Sequence, residues 1–219
     1  MSTSSISPIA PRADSGSSAT DGRRLRRDRN RDAVVRSLLS LYNEGNLDPS
    51  AEEIAVRSGV SARSLFRYFD DVDDLCQSAI DQQQQDVLHL LPIAATPSMP
   101  LGARVRAVAL QRGELFEAVE SAATVSRLRA PFLLVVADRL AEGRRFLRLQ
   151  IAELFAPELA ALPQPVAAAR LAAADVACSF EAWRLLRDDQ GLTSACAVAA
   201  LNESLLVLFG SPVVEGGAA

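Results

Sequence analysis

Residues 49–75 read PSAEEIAVRSGVSARSLFRYFDDVDDL, and their reading decides the fold. Ser50 is a favoured N-cap and Glu53 follows three positions later, so a capping box is expected at the start of a short helix. Ile54 and Ala55 give that helix its apolar side. Ser58-Gly59 ends it, because glycine takes the left-handed conformation at little cost. Ser61 caps a second helix, with Val60 just outside and Leu65 at the fourth position, the arrangement of a hydrophobic staple. Helical spacing puts Leu65 and Phe69 on one side and Arg63, Ser64, Arg67 and Tyr68 largely on the others. A buried helix, a glycine turn and an arginine-bearing helix make the pattern of a helix-turn-helix, whose second helix enters the major groove of DNA.

Upstream, Asp32 to Tyr42 carries Val34, Val35, Leu38, Leu39, Leu41 and Tyr42 at helical spacing, and Gly45-Asn46 stops it. This helix should clamp the pair from behind. Before it, Arg23-Arg24-Leu25-Arg26-Arg27-Asp28-Arg29-Asn30-Arg31 reads either as a solvated, charge-rich helix start or as an arm that neutralises phosphates. Residues 1–22 have too little apolar mass to offset their ordering entropy and are expected to form a disordered tail. The small domain is therefore assigned to residues 23–75 and a second helical domain to 76–212.

Downstream, Val72 to Ala94 reads as one long helix, and Pro92 to Pro100 as a break. Leu101 to about Ala123, a shorter piece from Val125 to Ala130, and Phe132 to Phe155 follow as helices. The last two, Val166–Asp189 and Thr193–Phe209, are apolar over more than one stripe. Helices apolar over so much of their circumference need burial or a partner. A four-helix bundle shared by two chains would supply one, with Val198, Leu201 and Leu205 in the contact.

The chain has 219 residues, 49% of them hydrophobic, and a formal net charge of −4. That length supports a sizeable core, and the abundance of Ala and Leu favours helix packed on helix, an all-α protein. Its acidity is uneven. Ten arginines face six acids between Arg23 and Phe69, which marks one local polyanion-binding surface on an acidic chain. Cys76, Cys178 and Cys196 occur singly without metal-ligand spacing, and read as buried thiols in a reducing compartment. No signal-peptide pattern and no apolar run of about 20 residues is present, so a cytoplasmic protein without a membrane association is expected. Nucleotide-binding glycine motifs, zinc-protease and nucleophile-elbow motifs are absent, so neither enzyme, metal nor cofactor is expected.

The run EEIAVRSGVSARSLFRYFDDVDDL resembles the DNA-binding signature of the tetracycline-repressor (TetR) family, which typically runs like EEIAERAGVSKGTLYRYFPSKEAL. The resemblance begins near Asp32 and extends through Leu75. It implies a three-helix DNA-binding head on a helical ligand-binding and dimerisation body. A homodimeric repressor of that kind binds a palindromic operator in double-stranded DNA and responds to a small-molecule effector. Carried onto this chain, the contacts to DNA fall to Ser50, Ser61, Ala62, Arg63, Ser64, Phe66, Arg67 and Tyr68, with Arg23, Arg24, Arg26 and Arg27 from the arm. Ala62 and Val72 stand where the family often has lysine, and Phe66 where it has tyrosine. Asp70, Asp71, Asp73 and Asp74 add repulsion of phosphate, which shifts the electrostatic burden to the N-terminal arginines. A helical adaptor or binding protein whose head no longer engages DNA is the alternative. The implied effector cavity lies between Leu101 and Asp189, with Phe116, Phe132, Val136, Phe180 and Trp183 as apolar wall and Gln111, Glu114 and Asp175 as polar groups.

Overall fold

Two glycines set the corners of the N-terminal head in the computed structural model, which describes residues 16–210. Gly45 (φ 89°) ends α1 (Gly16–Asn43), and Gly59 (φ 72°) ends α2 (Ala51–Ser58); both lie where a side chain is strained. α3 (Ala62–Tyr68) completes the three-helix head, and α4 (Val72–Val87) connects it to the body. The expected capping box is present: Ser50 Oγ accepts from Glu53 N, and Glu53 accepts in return from the Ser50 backbone. Ser61 caps α3 by accepting from Ser64 N, and Asp71 caps α4 by accepting from Asp74 N. Val34, Val35, Leu38, Leu39, Leu41 and Tyr42 of α1 close over Ile54, Leu65, Phe69, Leu75 and Ala79 as one core.

Three expectations for this region change. α1 begins at Gly16, so residues 16–22, assigned to a disordered tail, are helical, whereas residues 1–15 lie outside the described residues. The arginine segment is the same helix and not an extended arm; no glycine or proline interrupts the chain from Arg23 to Asn43, and arginine is a good helix former. α4 stops at Val87, and a single 3-10 turn, Leu88–Leu90, replaces its expected last turns.

The body is built on α5 (Leu101–Arg129), one unbroken helix where two were expected. Around it stand α6 (Leu134–Leu154), the short α7 (Ala156–Ala160), α8 (Gln164–Ala177), α9 (Phe180–Arg184) and α10 (Ser194–Gly210). The predicted helix 166–189 is divided because Ser179 leaves helical geometry and caps α9, accepting from Ala182 N at 3.1 Å. α9 continues into a wider π-helical turn, Leu185–Asp189. α5 packs on α10, α6, α4 and α1. Its Arg104, almost fully buried, donates to Leu154 O at 2.9 Å and pairs with Glu158, which ties the start of α5 to α7. Phe155 and Phe209 stack at 4.1 Å beneath this pair and close that end of the core. The far end of α5 reaches the head, where Val125 joins the head core. Cys76 and Cys178 are buried as expected, but Cys196 is exposed on α10.

Candidate nucleic-acid interface and ligand cavity

On α3, Leu65, Tyr68 and Phe69 turn inward, whereas Ala62, Arg63, Phe66 and Arg67 turn to solvent. Arg63 and Arg67 are four residues apart and so share one helix face. Phe66 lies between them and is 65% exposed, an apolar side chain presented outward rather than packed. Ser50 and Ser61 sit at the starts of α2 and α3, where both residues are exposed. Ser64 is half-buried, and its hydroxyl accepts a 2.9 Å bond from Ser61.

Tyr68 departs from the expectation. Its ring is buried, and its hydroxyl accepts from Asn30 Nδ2 at 2.8 Å, so it joins α3 to α1 instead of facing DNA. Arg31 does the same from the other side. It donates to Tyr68 O (2.9 Å), Asp74 Oδ1 (2.5 Å) and Ser78 Oγ (2.7 Å), and its guanidinium lies 4.6 Å from the Phe69 ring centre. The bond from Arg31 holds the Asp74 carboxyl below the usual carboxylate range. Asp74 thus serves the head's own cohesion, and one of the four acids near the start of α4 is neutralised by a neighbour. Arg57 pairs with Glu44. Arg24, Arg26, Arg27, Arg63 and Arg67 make no ion pair among the described residues, and all five are exposed. Arg23 belongs to the same helix as the first three.

In the body, an open cavity of about 710 Å³ lies between α4, α5, α6, α8 and α9. Its wall is mainly apolar, with Leu91, Leu115, Phe116, Val119, Leu147, Cys178 and Phe180 among its residues. Phe116 and Phe180 meet edge to face at 5.7 Å. Arg127, Arg144 and Glu181 stand together on this wall: Arg127 donates to Glu181 at 2.8 Å and Arg144 at 2.5 Å. Burial pushes the Glu181 carboxyl up, but the two guanidinium bonds outweigh it and hold the group at about 2. A smaller cavity of about 130 Å³ shares Ile80, Gln84, Val87, Val119, Ala123 and Ser126 with the first and extends to Leu39 and Tyr42 of the head.

Of the eight residues expected at the ligand site, Phe116, Asp175 and Phe180 line the large cavity, and Val136 lines the smaller one. The other four do not line either. Phe132 is 83% exposed at the turn between α5 and α6, and Glu114 is exposed on the outer side of α5. Gln111 is buried, with its amide donating to Leu90 O. Trp183 packs against Phe116 and over Gly113, into the core. Leu91, Leu147 and Cys178 were not foreseen as cavity residues, because an apolar side chain at helical spacing looks the same whether it meets protein or a void; Arg127 and Glu181 were missed because their pairing spans 54 residues.

The stripe expected at a dimer contact is covered within the chain. Leu201 and Leu205 are buried within the chain, and Val198 packs beside Gly113, so this stripe of α10 is occupied by α5. The face left outward on α10 carries Ala195, Cys196, Ala199, Glu203 and Val207. Neighbouring α8 exposes Ala168, Ala169, Ala172, Ala173 and Val176.

No family profile and no curated protein matches the sequence. Solved structures do. A transcriptional regulator from Rhodococcus sp. Rha1 is similar over 86% of this chain and 98% of its own, with 19% identity and a TM-score of 0.62. A TetR-family transcriptional regulator from Streptomyces coelicolor is similar over 81% of both chains (18% identity, TM-score 0.57). The multidrug binding protein EbrR, solved with imidazole, is similar over 86% of this chain and 97% of its own (21% identity, TM-score 0.56). With a three-helix head, the connecting α4 and a helical body on α5, this chain has the all-α fold of the TetR-family transcriptional regulators.

Proposed function

We propose that the protein is a DNA-binding transcriptional regulator, a ligand-responsive repressor that binds a palindromic operator as a homodimer. The observation that carries this reading is the α2–α3 pair, each helix capped at its start, with Arg63 and Arg67 outward and without ion-pair partners among the described residues. Guanidinium groups on that face can reach guanine O6 and N7 in the major groove. The exposed Arg24, Arg26 and Arg27 on the projecting part of α1 supply sequence-independent attraction to phosphate. Dimerisation uses the small-residue faces of α8 and α10, which lets two copies approach closely and gives two heads for two half-sites. A cytoplasmic location accords with this role; no helix among the described residues is long and apolar enough to cross a membrane.

α5 is the element that can couple ligand to head. Leu115, Phe116 and Val119 line the cavity, while Val125 sits in the head core and Arg129 pairs with Asp48 at 3.0 Å. A ligand that favours one α5 position releases the operator to the extent that its affinity differs between the two states. The second reading, a helical binding protein whose head does not engage DNA, draws on the exposed Phe66 and on Asp70 and Asp71 beside α3.

The experiment is a mobility-shift titration on the DNA flanking the protein's own gene at two salt concentrations, with wild type and Arg63→Ala. On the cognate site Arg63→Ala should lose about 1–3 kcal/mol, and much less on random DNA. Equal losses on both reduce Arg63 to a phosphate contact. No shift with wild type at either salt favours the second reading.

A further inference from the structure

Folding takes a guanidinium out of water only against the loss of its hydration, and proteins normally offset that loss with a carboxylate. Arg112, on the cavity side of α5, is 0% exposed and lacks such a partner among the described residues. Its bonds go to neutral oxygens: Leu147 O at 3.0 Å, Gln150 Oε1 at 3.1 Å and Gln111 Oε1. Its Nε is buried with no acceptor. The cavity-wall carboxylate within charge range of it, Asp175, is already bonded to Arg148 at 3.0 Å.

The position of this charge matters. Leu147, whose carbonyl accepts from Arg112, lines the large cavity, and so does Leu91, whose carbonyl accepts from Gln150 Nε2 at 2.8 Å. Cys178 and Asp175 also line it, and both lie within charge range of Arg112. The uncompensated cation therefore stands directly behind the apolar inner wall. On and beside that wall the other charges are already paired: Glu142 and Asp81 share Arg139, which leaves one negative charge in excess, and Asp175 meets Arg148. At Glu181 two guanidiniums share one carboxylate, and that positive excess offsets the negative one at Arg139, so Arg112 is the charge left without a counterpart there.

We propose that the cavity takes an amphipathic organic anion, an apolar body bearing one carboxylate-like group, with buried Arg112 as its counter-charge. This rests on the ligand-responsive reading above and names the class of that ligand. Apolar walls supply affinity through buried area, and the unscreened positive charge behind Leu91, Leu147 and Cys178 selects the anion over its neutral or cationic counterpart. A cationic ligand meets the same charge as repulsion.

The test compares three ligands of one shape, decanoate, decanamide and decylamine, by calorimetric titration of the full-length protein at neutral pH. Decanoate should bind about tenfold or more tighter than decanamide, the ratio expected when one charge-assisted interaction is gained. Decylamine should bind weakest. In Arg112→Met the ratio of acid to amide should fall to near one, while Arg112→Lys, which keeps the charge, should retain part of it. Circular dichroism controls the fold, and Arg112→Gln makes the same comparison if the methionine variant does not fold. A strut that only joins α5 to α6 would change stability in these variants and leave the ratio alone, which would overturn the role of Arg112. Equal affinity for acid and amide in wild type overturns the anion and leaves a ligand cavity standing. A ratio that survives Arg112→Met but vanishes in Arg144→Gln moves the anion to the Arg127–Arg144 pair and overturns the role of Arg112. Failure of all three ligands to bind overturns the amphipathic anion, whereas the regulator reading stands or falls by the mobility-shift titration.

Discussion

Replacing Arg31 by alanine should weaken the head without touching the face proposed to meet DNA. Arg31 belongs to the arginine-rich segment that reads from sequence either as a solvated helix start or as a phosphate-neutralising arm, but the structure uses it as a strut between α1, α3 and α4. The substitution removes four hydrogen bonds, one to Tyr68 O, two to Asp74 and one to Ser78, and the guanidinium's place over Phe69. Each bond involving a charged group contributes about 1.5–3 kcal/mol when shielded. Arg31 is 33% exposed and Asp74 29%, so solvent screens the pair and the sum has to be discounted well below additivity. A destabilisation of about 2 kcal/mol follows, which for a chain of this size is about 4–8 °C in melting temperature. Asp74, whose pKa the Arg31 bond lowers, contributes stability that is present above the unfolded carboxylate value of about 3.9. That stability disappears as pH falls through the lower folded value, so the melting-temperature gap between wild type and variant should narrow as pH falls below about 4, leaving the share due to Tyr68 O, Ser78 and Phe69. Thermal unfolding followed by circular dichroism gives the stability, and operator titrations at several salt concentrations, run well below the transition, give the salt slope. An unchanged melting temperature with a slope smaller in magnitude by about 0.9 would refute the strut and make Arg31 a phosphate contact.

Removing residues 1–27 takes away Arg23, Arg24, Arg26 and Arg27; the log–log salt slope should fall in magnitude by about 0.9 for each phosphate that these arginines neutralise, and an unchanged slope rules this helix extension out. Gly113→Ala puts a Cβ at 2.6 Å from Val198 Cγ2, across the α5–α10 packing. Overpacking of about 1–3 kcal/mol should outweigh the gain of about 1 kcal/mol in helix propensity, with partial recovery when Val198→Ala is added; a variant stabilised by the full propensity gain contradicts the close approach. Ala199→Asp with Val207→Asp, on the outward face of α10, should give a folded monomer in sedimentation, whereas Leu201→Asp should unfold the chain because that side chain faces α5. A dimer that survives the first pair places the interface elsewhere.

The head was legible in the sequence because its determinants are local. Ser50 with Glu53, the glycines at 45 and 59, and Ser61 with Leu65 act within one or two helical turns, and the chemistry of each fixes a backbone conformation without reference to the rest of the chain. The apolar spacing of α1 likewise predicted which residues face the core. Sequence spacing failed where neighbours decide. Tyr68 lies on the side opposite the expectation because Asn30 and Arg31 of α1 donate to its hydroxyl and its carbonyl, partners 38 and 37 residues away. Leu201 and Leu205 read as a dimer stripe, yet α5 covers them, leaving the alanine-rich faces outward. Whether an apolar side chain meets another side chain or a void depends on how α4, α5, α6, α8 and α9 close around one another, so Phe132 and Phe116 look alike in the sequence and differ completely in the fold. The same holds for Arg112, one more arginine on a helix in the sequence and a buried charge without a carboxylate in the structure, since burial is a property of packing and not of the residue.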